Sequence, residues 1–179
     1  TFLGKAFPEG GYTSYADLLL NAGKRYGVNP FILASKLINE HGSDGDSGSV
    51  SGKVEGYEGY YNYFNIGAYA HSGRSAIENG LIYAKEHGWD SREKSIMAGT
   101  EFFAKDYIRS NKTTAYFQKF NVMNGASAVA RGQYMTALWG ANSTGVTLGK
   151  GYVSAYSSAL TFEIPVYLSM PTLPAPYPR

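Results

Sequence analysis

A chain of 179 residues suits a single domain, long enough to bury its own core without metals or disulfides. It contains no cysteine, which excludes a disulfide framework and every thiol-dependent catalytic mechanism. The net charge of +2 is too small to indicate nucleic-acid binding, and the content of 44% hydrophobic and 17% charged residues excludes a disordered chain.

Two helices are predicted near the start of the chain. The first covers 14–27, where Ser14 is a suitable N-cap and apolar residues recur at helical spacing until a glycine stops the pattern. The second covers 29–42, where Asn29 supplies a cap and Pro30 a favourable first-turn residue. Both boundaries therefore rest on local capping chemistry.

The remaining chain is predicted to be mostly helical around one irregular insertion. Residues 43–59 are small, polar and rich in glycine, which indicates an irregular lobe or a short hairpin. Further helices are predicted at 75–87, 91–110, 114–119, 132–139 and 151–160. The proline-rich tail, 171–179, should be extended. We expect a mainly α, or α+β, single domain with its core over about 12–167 and a small irregular or β lobe after the second helix.

Glu40 is the first candidate for chemistry. It closes an apolar run, so its side chain should emerge at the edge of the core, where a carboxyl group can keep its proton and give it to a glycosidic oxygen. A structural role for a charged residue at a helix end is the alternative. The stretch 60–67 that follows is rich in rings and amides, which suits either a sugar-binding wall or a packed turn.

Other catalytic classes lack their motifs. His41, His71 and His87 show no spacing typical of a zinc site. Asp44 and Asp46 resemble the start of a calcium loop, but no glutamate stands at its final position. The chain has neither a serine-hydrolase elbow nor a phosphate-binding glycine loop. We therefore expect no metal and no cofactor.

An ordered set of motifs resembles the endo-β-N-acetylglucosaminidase domains of bacterial autolysins, glycoside hydrolase family 73, which have a lysozyme-like fold. The resemblance covers about 29–167. Any one motif is unremarkable, whereas their order is specific. The motifs are the helix end at 40–42, followed by 61–69, 82–90, 120–121, 133–136 and 162–167.

The resemblance implies roles for individual residues. Glu40 matches the general acid, and Tyr134 matches a tyrosine placed opposite it in the cleft. Asn65 departs from the pattern, because many relatives have glycine there. A second carboxylate is implied only if the enzyme uses one: Glu58 is our candidate, and the N-acetyl carbonyl of the substrate is the slightly preferred alternative. The residues implied to contact substrate are Tyr61, Asn62, Tyr63, Phe64, Asn65, Phe120, Asn121 and Gln133.

The implied activity is a peptidoglycan hydrolase that cleaves after N-acetylglucosamine. Two alternatives stay open: a lytic transglycosylase on the same fold, and a non-catalytic module that binds cell-wall glycans. The expected partner is the peptidoglycan glycan strand, with no nucleic acid and no membrane insertion, because no stretch reaches the roughly 18 apolar residues of a span. We expect a monomeric, secreted, wall-associated domain whose signal peptide and wall-binding domains lie outside this sequence.

Overall fold

The computed structural model describes residues 1–135, 137, 139–153 and 161–173. Short helices dominate these ranges, and none of those described is long and apolar enough to cross a bilayer. The α-helices are α1 (Tyr15–Tyr26), α2 (Pro30–His41), α3 (Gly48–Ser51), α4 (Ala76–Glu86), α5 (Arg92–Phe103), α6 (Ala115–Phe120) and α7 (Gly140–Tyr152). A π-helical segment, Ala104–Ile108, continues α5, and short 3-10 turns occupy Phe2–Gly4, Val122–Asn124 and Ala126–Ala128.

The predicted capping residues set the ends of α1 and α2. The Ser14 side chain accepts a hydrogen bond from the backbone of Asp17 at 3.1 Å. Gly27 then ends α1 in the left-handed region at φ 72°, which costs glycine little. The Asn29 side chain accepts from the backbone N–H of Phe31 at 2.9 Å. These two helices, and those predicted at 75–87 and 114–119, are confirmed within a residue or two.

Helix α2 runs through the centre of the core and contacts both α1 and α7. Leu33 and Leu37 on this helix are fully buried. They lie in one apolar cluster with Leu18 of α1 and with Ile96 and Phe103 of α5. In the last turn of α2, Glu40 lies at the edge of this core, where its side chain is half-buried.

The inserted lobe is irregular. Residues 43–59 contain only the short helix α3 and turns, so the hairpin alternative is not seen there. Strand pairing in the described residues is limited to isolated bridges, between Ala6 and Ser14 and between His71 and Arg74. The mainly helical prediction is confirmed, and the β character of the lobe is not.

The prediction of a helix at 132–139 is wrong for the residues described there. The backbone N–H of Tyr134 donates to the carbonyl of Gln118 at 3.1 Å, and the Gln133 side chain donates to the carbonyl of Lys119 at 2.7 Å. These contacts tie the segment to α6 in place of a helical ladder. The last residues of the helix predicted at 151–160 lie outside the described ranges, as do Thr136, Leu138 and the tail from Pro174.

Helix α7 was missed because its sequence is poor in helix formers. Residues 140–152 contain several glycines and β-branched residues, which disfavour a helix in isolation. Packing on α2 supplies the missing stability: the Phe31 and Tyr152 rings stack at 4.5 Å between centroids, and Asn39 is hydrogen-bonded to Thr144 and Thr147. Tertiary contacts therefore override propensity here.

Candidate active site

Glu40 receives hydrogen bonds from two distant parts of the chain. The half-buried side chain lies in the last turn of α2. Asn65 Nδ2 donates to its Oε2 atom at 2.9 Å, and the Tyr134 hydroxyl donates to its Oε1 atom at 3.4 Å. The structure thus joins the predicted acid, the predicted tyrosine and one predicted groove residue into a single constellation.

Asn62 organises the loop that presents Asn65. Its side chain is fully buried, its Nδ2 donates to the carbonyls of Ile66 and Gly80 at 2.8 Å, and its Oδ1 accepts from Ile66 N–H at 3.0 Å. Asn65 itself adopts φ 48°, a left-handed conformation that asparagine tolerates. The Asn62 amide therefore uses its hydrogen bonds to hold the loop in shape and does not face a ligand.

The three predicted ring residues of this loop lie beneath its surface. Tyr63 and Phe64 are buried, and the Tyr63 hydroxyl donates to the Tyr15 hydroxyl at 3.2 Å. Tyr61 is also buried, and its hydroxyl accepts from Arg92 Nη1 at 3.0 Å while the guanidinium covers its ring at 4.4 Å. The geometry gives these rings a supporting place in the core, and leaves Asn65 as the loop residue that reaches Glu40.

The predicted residues near α6 support the segment that carries Tyr134. Gln133 donates to the α6 backbone, as described above, and Phe120 is half-buried at the last position of that helix. Asn121 ends α6 at φ 50° and donates to the carbonyl of Arg131 at 2.8 Å. The Gln133 and Asn121 side chains hold the loop to the helix and so fix the backbone next to Tyr134.

Glu58 does not join the constellation. Its side chain is exposed in the irregular lobe. Within the described part of the chain, none of the hydrogen bonds or ion pairs links Glu58, or any other acid, to Glu40. The role of Glu58 stays a prediction, because a second carboxylate acts on the sugar from its own position and needs no contact with the acid.

Lys36 is a site residue that sequence reasoning missed. Its side chain is 1% exposed, and its Nζ atom has no hydrogen-bond partner among the described residues. The Nζ atom lies 3.6 Å from the Tyr134 ring centroid and 5.8 Å from that of Phe103. A signal was present in the sequence, because Lys36 shares the apolar face of α2 with Leu33 and stands one turn before Glu40.

Burial sets the protonation of the groups around Glu40. Desolvation lowers the pKa of Lys36 to about 7, against a smaller opposing effect of the Glu40 charge. Desolvation also raises the pKa of Tyr134 well above its ordinary value, with Glu40 and Tyr107 adding to the effect. Tyr134 therefore stays a phenol at any physiological pH and remains a hydrogen-bond donor.

His41 connects α2 to the neighbouring loops. One ring nitrogen lies 2.8 Å from the carbonyl oxygen of Tyr63, and the other lies 2.7 Å from the hydroxyl of Ser47. A carbonyl only accepts, so the Nε2 atom carries the hydrogen. Burial lowers the pKa of His41, which keeps the ring neutral and makes it a structural link between the helix end and the lobe.

Replacing Lys36 by methionine is expected to stabilise the fold in a pH-dependent way. The native pKa of about 7 lies below the ordinary 10.5, so between these values the unfolded chain binds more protons and stability rises with pH. Below that range the native state carries a buried charge, and Lys36→Met should raise the free energy of unfolding by about 2 kcal/mol, net of the lost cation–π contact. Urea unfolding at two pH values, about 6 and about 10, measures the change.

The expected gain at the lower pH should shrink at the higher one, where the native lysine is already neutral. Lys94→Met is the matched control, because Lys94 is exposed and paired with Asp90 at 2.6 Å. That variant should change stability by less than about 1 kcal/mol. A loss of stability in Lys36→Met at both pH values would contradict the expectation.

Comparison with known proteins identifies relatives of this arrangement. No family model matches the chain. A bifunctional autolysin from Staphylococcus epidermidis is 32% identical over 153 residues, which cover 82% of this chain and 11% of that protein. The resemblance drawn from the motifs is confirmed. The chain is a homologue of the staphylococcal autolysins.

Solved structures agree with this homology. The structure of a catalytic mutant of autolysin E from Staphylococcus aureus, in complex with the disaccharide NAG-NAM, aligns with a TM-score of 0.63 at 29% identity, covering 78% of this chain and 59% of that one. Glucosaminidase B from the same species aligns with a TM-score of 0.55 at 30% identity, covering 76% and 52%. The mainly helical fold is thus the autolysin glucosaminidase fold.

The relatives are longer than the region they share with this chain. The chain spans about a tenth of the length of the bifunctional autolysins, 11% of the protein from Staphylococcus epidermidis and 12% of that from Staphylococcus aureus. It also spans just over half of the solved autolysin structures. The activities of the full-length relatives therefore support a proposal for this chain and do not establish its activity.

Proposed function

We propose that this domain is a peptidoglycan hydrolase, an endo-β-N-acetylglucosaminidase of glycoside hydrolase family 73 with a lysozyme-like fold. The observation that carries the proposal is the placement of Glu40 at the exit of α2, with Asn65 and Tyr134 each donating to one of its oxygens. Homologues solved with NAG-NAM and with a muropeptide support the choice of substrate. The bond cleaved is the one after N-acetylglucosamine.

Glu40 acts as the general acid in this proposal. It donates its proton to the glycosidic oxygen as the bond breaks and positive charge develops on the sugar. The carboxylate left behind accepts from Asn65 Nδ2 and from the Tyr134 hydroxyl, and hydrogen bonds to an ionised acceptor are about twice as strong as neutral ones. Both donors therefore favour the transition state over the ground state.

The nucleophile that stabilises the sugar after the bond breaks is, in this proposal, supplied by the substrate itself. Two-carboxylate hydrolases hold their acids roughly 5 Å apart for retention or roughly 6.5 to 9.5 Å apart for inversion. Glu58 is exposed, and the groups that reach Glu40 are an amide and a phenol, neither of which can act as the second carboxylate. We therefore favour the N-acetyl carbonyl oxygen of the substrate as the nucleophile, with the Tyr134 phenol orienting the sugar beside the acid.

The setting of the reaction follows from the same relatives. The proposed partner is the peptidoglycan glycan strand, and the proposed location is outside the cell, in the wall. The autolysins that match are much longer than this chain, which supports a domain that works as part of a longer protein with wall-binding regions. As in the sequence analysis, we expect the domain itself to be monomeric.

The end groups of digested peptidoglycan test the proposal. Purified cell wall incubated with the protein should release fragments with reducible N-acetylglucosamine ends, detected by borohydride reduction and mass spectrometry. Anhydro-muramyl ends would instead assign a lytic transglycosylase. Binding to the wall without any new ends, across the pH range, would assign a non-catalytic module. Glu40→Gln protein is the control for contaminating hydrolases.

A further inference from the structure

The buried amine of Lys36 has no role in the reaction proposed above. Its Nζ atom is withdrawn from solvent without a hydrogen-bond partner in the described part of the chain. Burying such a group costs several kcal/mol unless something compensates for it. A methionine or leucine would pack at this position on the apolar face of α2 at lower cost, so the lysine calls for a functional explanation.

The ring of Tyr134 is the nearest candidate for that role. The Nζ atom lies 3.6 Å from its centroid, well inside the range of a cation–π contact, and Phe103 is second at 5.8 Å. Glu40, one turn further along the same helix, is a charged group that acts on the amine. The two do not form an ion pair among those of the described residues.

Tyr134 needs such a contact because its own segment is irregular. Phe103 and Tyr107 pack against the ring in T-shaped geometry, at centroid distances of 5.7 Å and 5.2 Å. The ammonium group over the centroid adds an electrostatic attraction that favours this position of the ring. At 3.4 Å the Tyr134 hydroxyl bond to Glu40 is long, so a small displacement of the ring would break it.

We propose that Lys36 is a positioning residue of the glycosidase reaction, whose ammonium group fixes the Tyr134 ring and thereby sets the phenol hydroxyl at Glu40. This inference rests on the proposed function for the roles of Glu40 and Tyr134. Lys36 touches no substrate, since its side chain is 1% exposed. Its loss should therefore lower kcat and leave KM nearly unchanged.

A double-mutant cycle tests the route through Tyr134. At pH about 6, where the amine is charged, Lys36→Met should lower kcat on peptidoglycan about tenfold, and Tyr134→Phe should lower it by a similar or larger factor. The double variant should be no slower than Tyr134→Phe alone, because without the hydroxyl there is nothing left to position. Multiplying effects in the double variant, or an unchanged kcat in Lys36→Met, would overturn the proposal.

A second readout does not depend on activity. In the Glu40→Gln background, where that carboxyl cannot titrate, the ring NMR signals of Tyr134 should shift with a midpoint below the wild-type Lys36 pKa of about 7, because the Glu40 charge that raises this pKa is gone. The Lys36→Met substitution should abolish this titration, whereas Lys94→Met should leave it in place. A Tyr134 ring that does not sense the amine would overturn the positioning role.

The two assays separate the possible failures. If the wild-type protein releases no new sugar ends from cell wall, the proposed function fails, and the NMR titration still decides whether Lys36 holds Tyr134. If the ends are released but the cycle is multiplicative, the proposed function stands and the role of Lys36 does not. Thermal unfolding of each variant confirms that a lower kcat reflects the site and not loss of fold.

Discussion

Glu40→Gln is expected to lower peptidoglycan turnover by about a thousandfold while the protein stays folded. An amide of the same shape cannot donate the proton that the leaving sugar oxygen needs, and general acid catalysis contributes about 10² to 10⁴ in rate. The side chain is half-buried at the end of α2 and forms no ion pair among the described residues, so its charge is not needed for folding. Release of reducing sugar ends under saturating substrate measures the effect.

Two other glutamates make this result specific. Glu101→Gln, at an exposed position on α5, should retain wild-type turnover. Glu58→Gln decides the second half of the mechanism: turnover within about threefold of wild type supports substrate assistance, and a loss comparable with that of Glu40→Gln would make Glu58 a second catalytic acid. A Glu40→Gln protein that keeps more than about a tenth of wild-type turnover would remove the proposed acid.

The early helices could be predicted from the sequence because their boundaries are local. Ser14 and Asn29 cap helices through bonds to residues two or three positions away, and Gly27 ends a helix through its own backbone conformation. Helix α7 depends instead on α2, more than a hundred residues earlier, through contacts such as Phe31 with Tyr152. No local pattern carries that information.

In the candidate site, too, local features could be predicted from the sequence and long-range contacts could not. Glu40 could be predicted because an acid after an apolar helix must emerge at the edge of the core. Whether a ring lines a groove or lies beneath it is a tertiary property, and Tyr63, read from the sequence as a wall residue, is buried. Lys36 could have been suspected from its place on the apolar face, but its contact with Tyr134 joins residues almost a hundred positions apart.

Asn62→Asp is expected to destabilise the fold by about 3 kcal/mol or more at neutral pH. The substitution keeps the shape of the side chain and its acceptor for Ile66 N–H, but replaces the two donors with an oxygen that faces the carbonyls of Ile66 and Gly80. The buried carbonyl of Gly80 and the partly buried carbonyl of Ile66 lose their donor and face a buried carboxyl group, and each such loss costs about 1 to 3 kcal/mol. Urea unfolding at pH about 7 measures the change.

The control is Asn111→Asp, the same substitution at an exposed asparagine, which should cost less than about 1 kcal/mol. At pH about 4 a protonated carboxyl at position 62 regains one donor, so the loss of stability should become smaller.

The loop that Asn62 organises also presents Asn65 to Glu40. Folded Asn62→Asp protein should therefore lose peptidoglycan turnover as well, because Glu40 would lose one of its two hydrogen-bond donors. A stable and fully active variant would contradict the link between the buried Asn62 amide and Glu40.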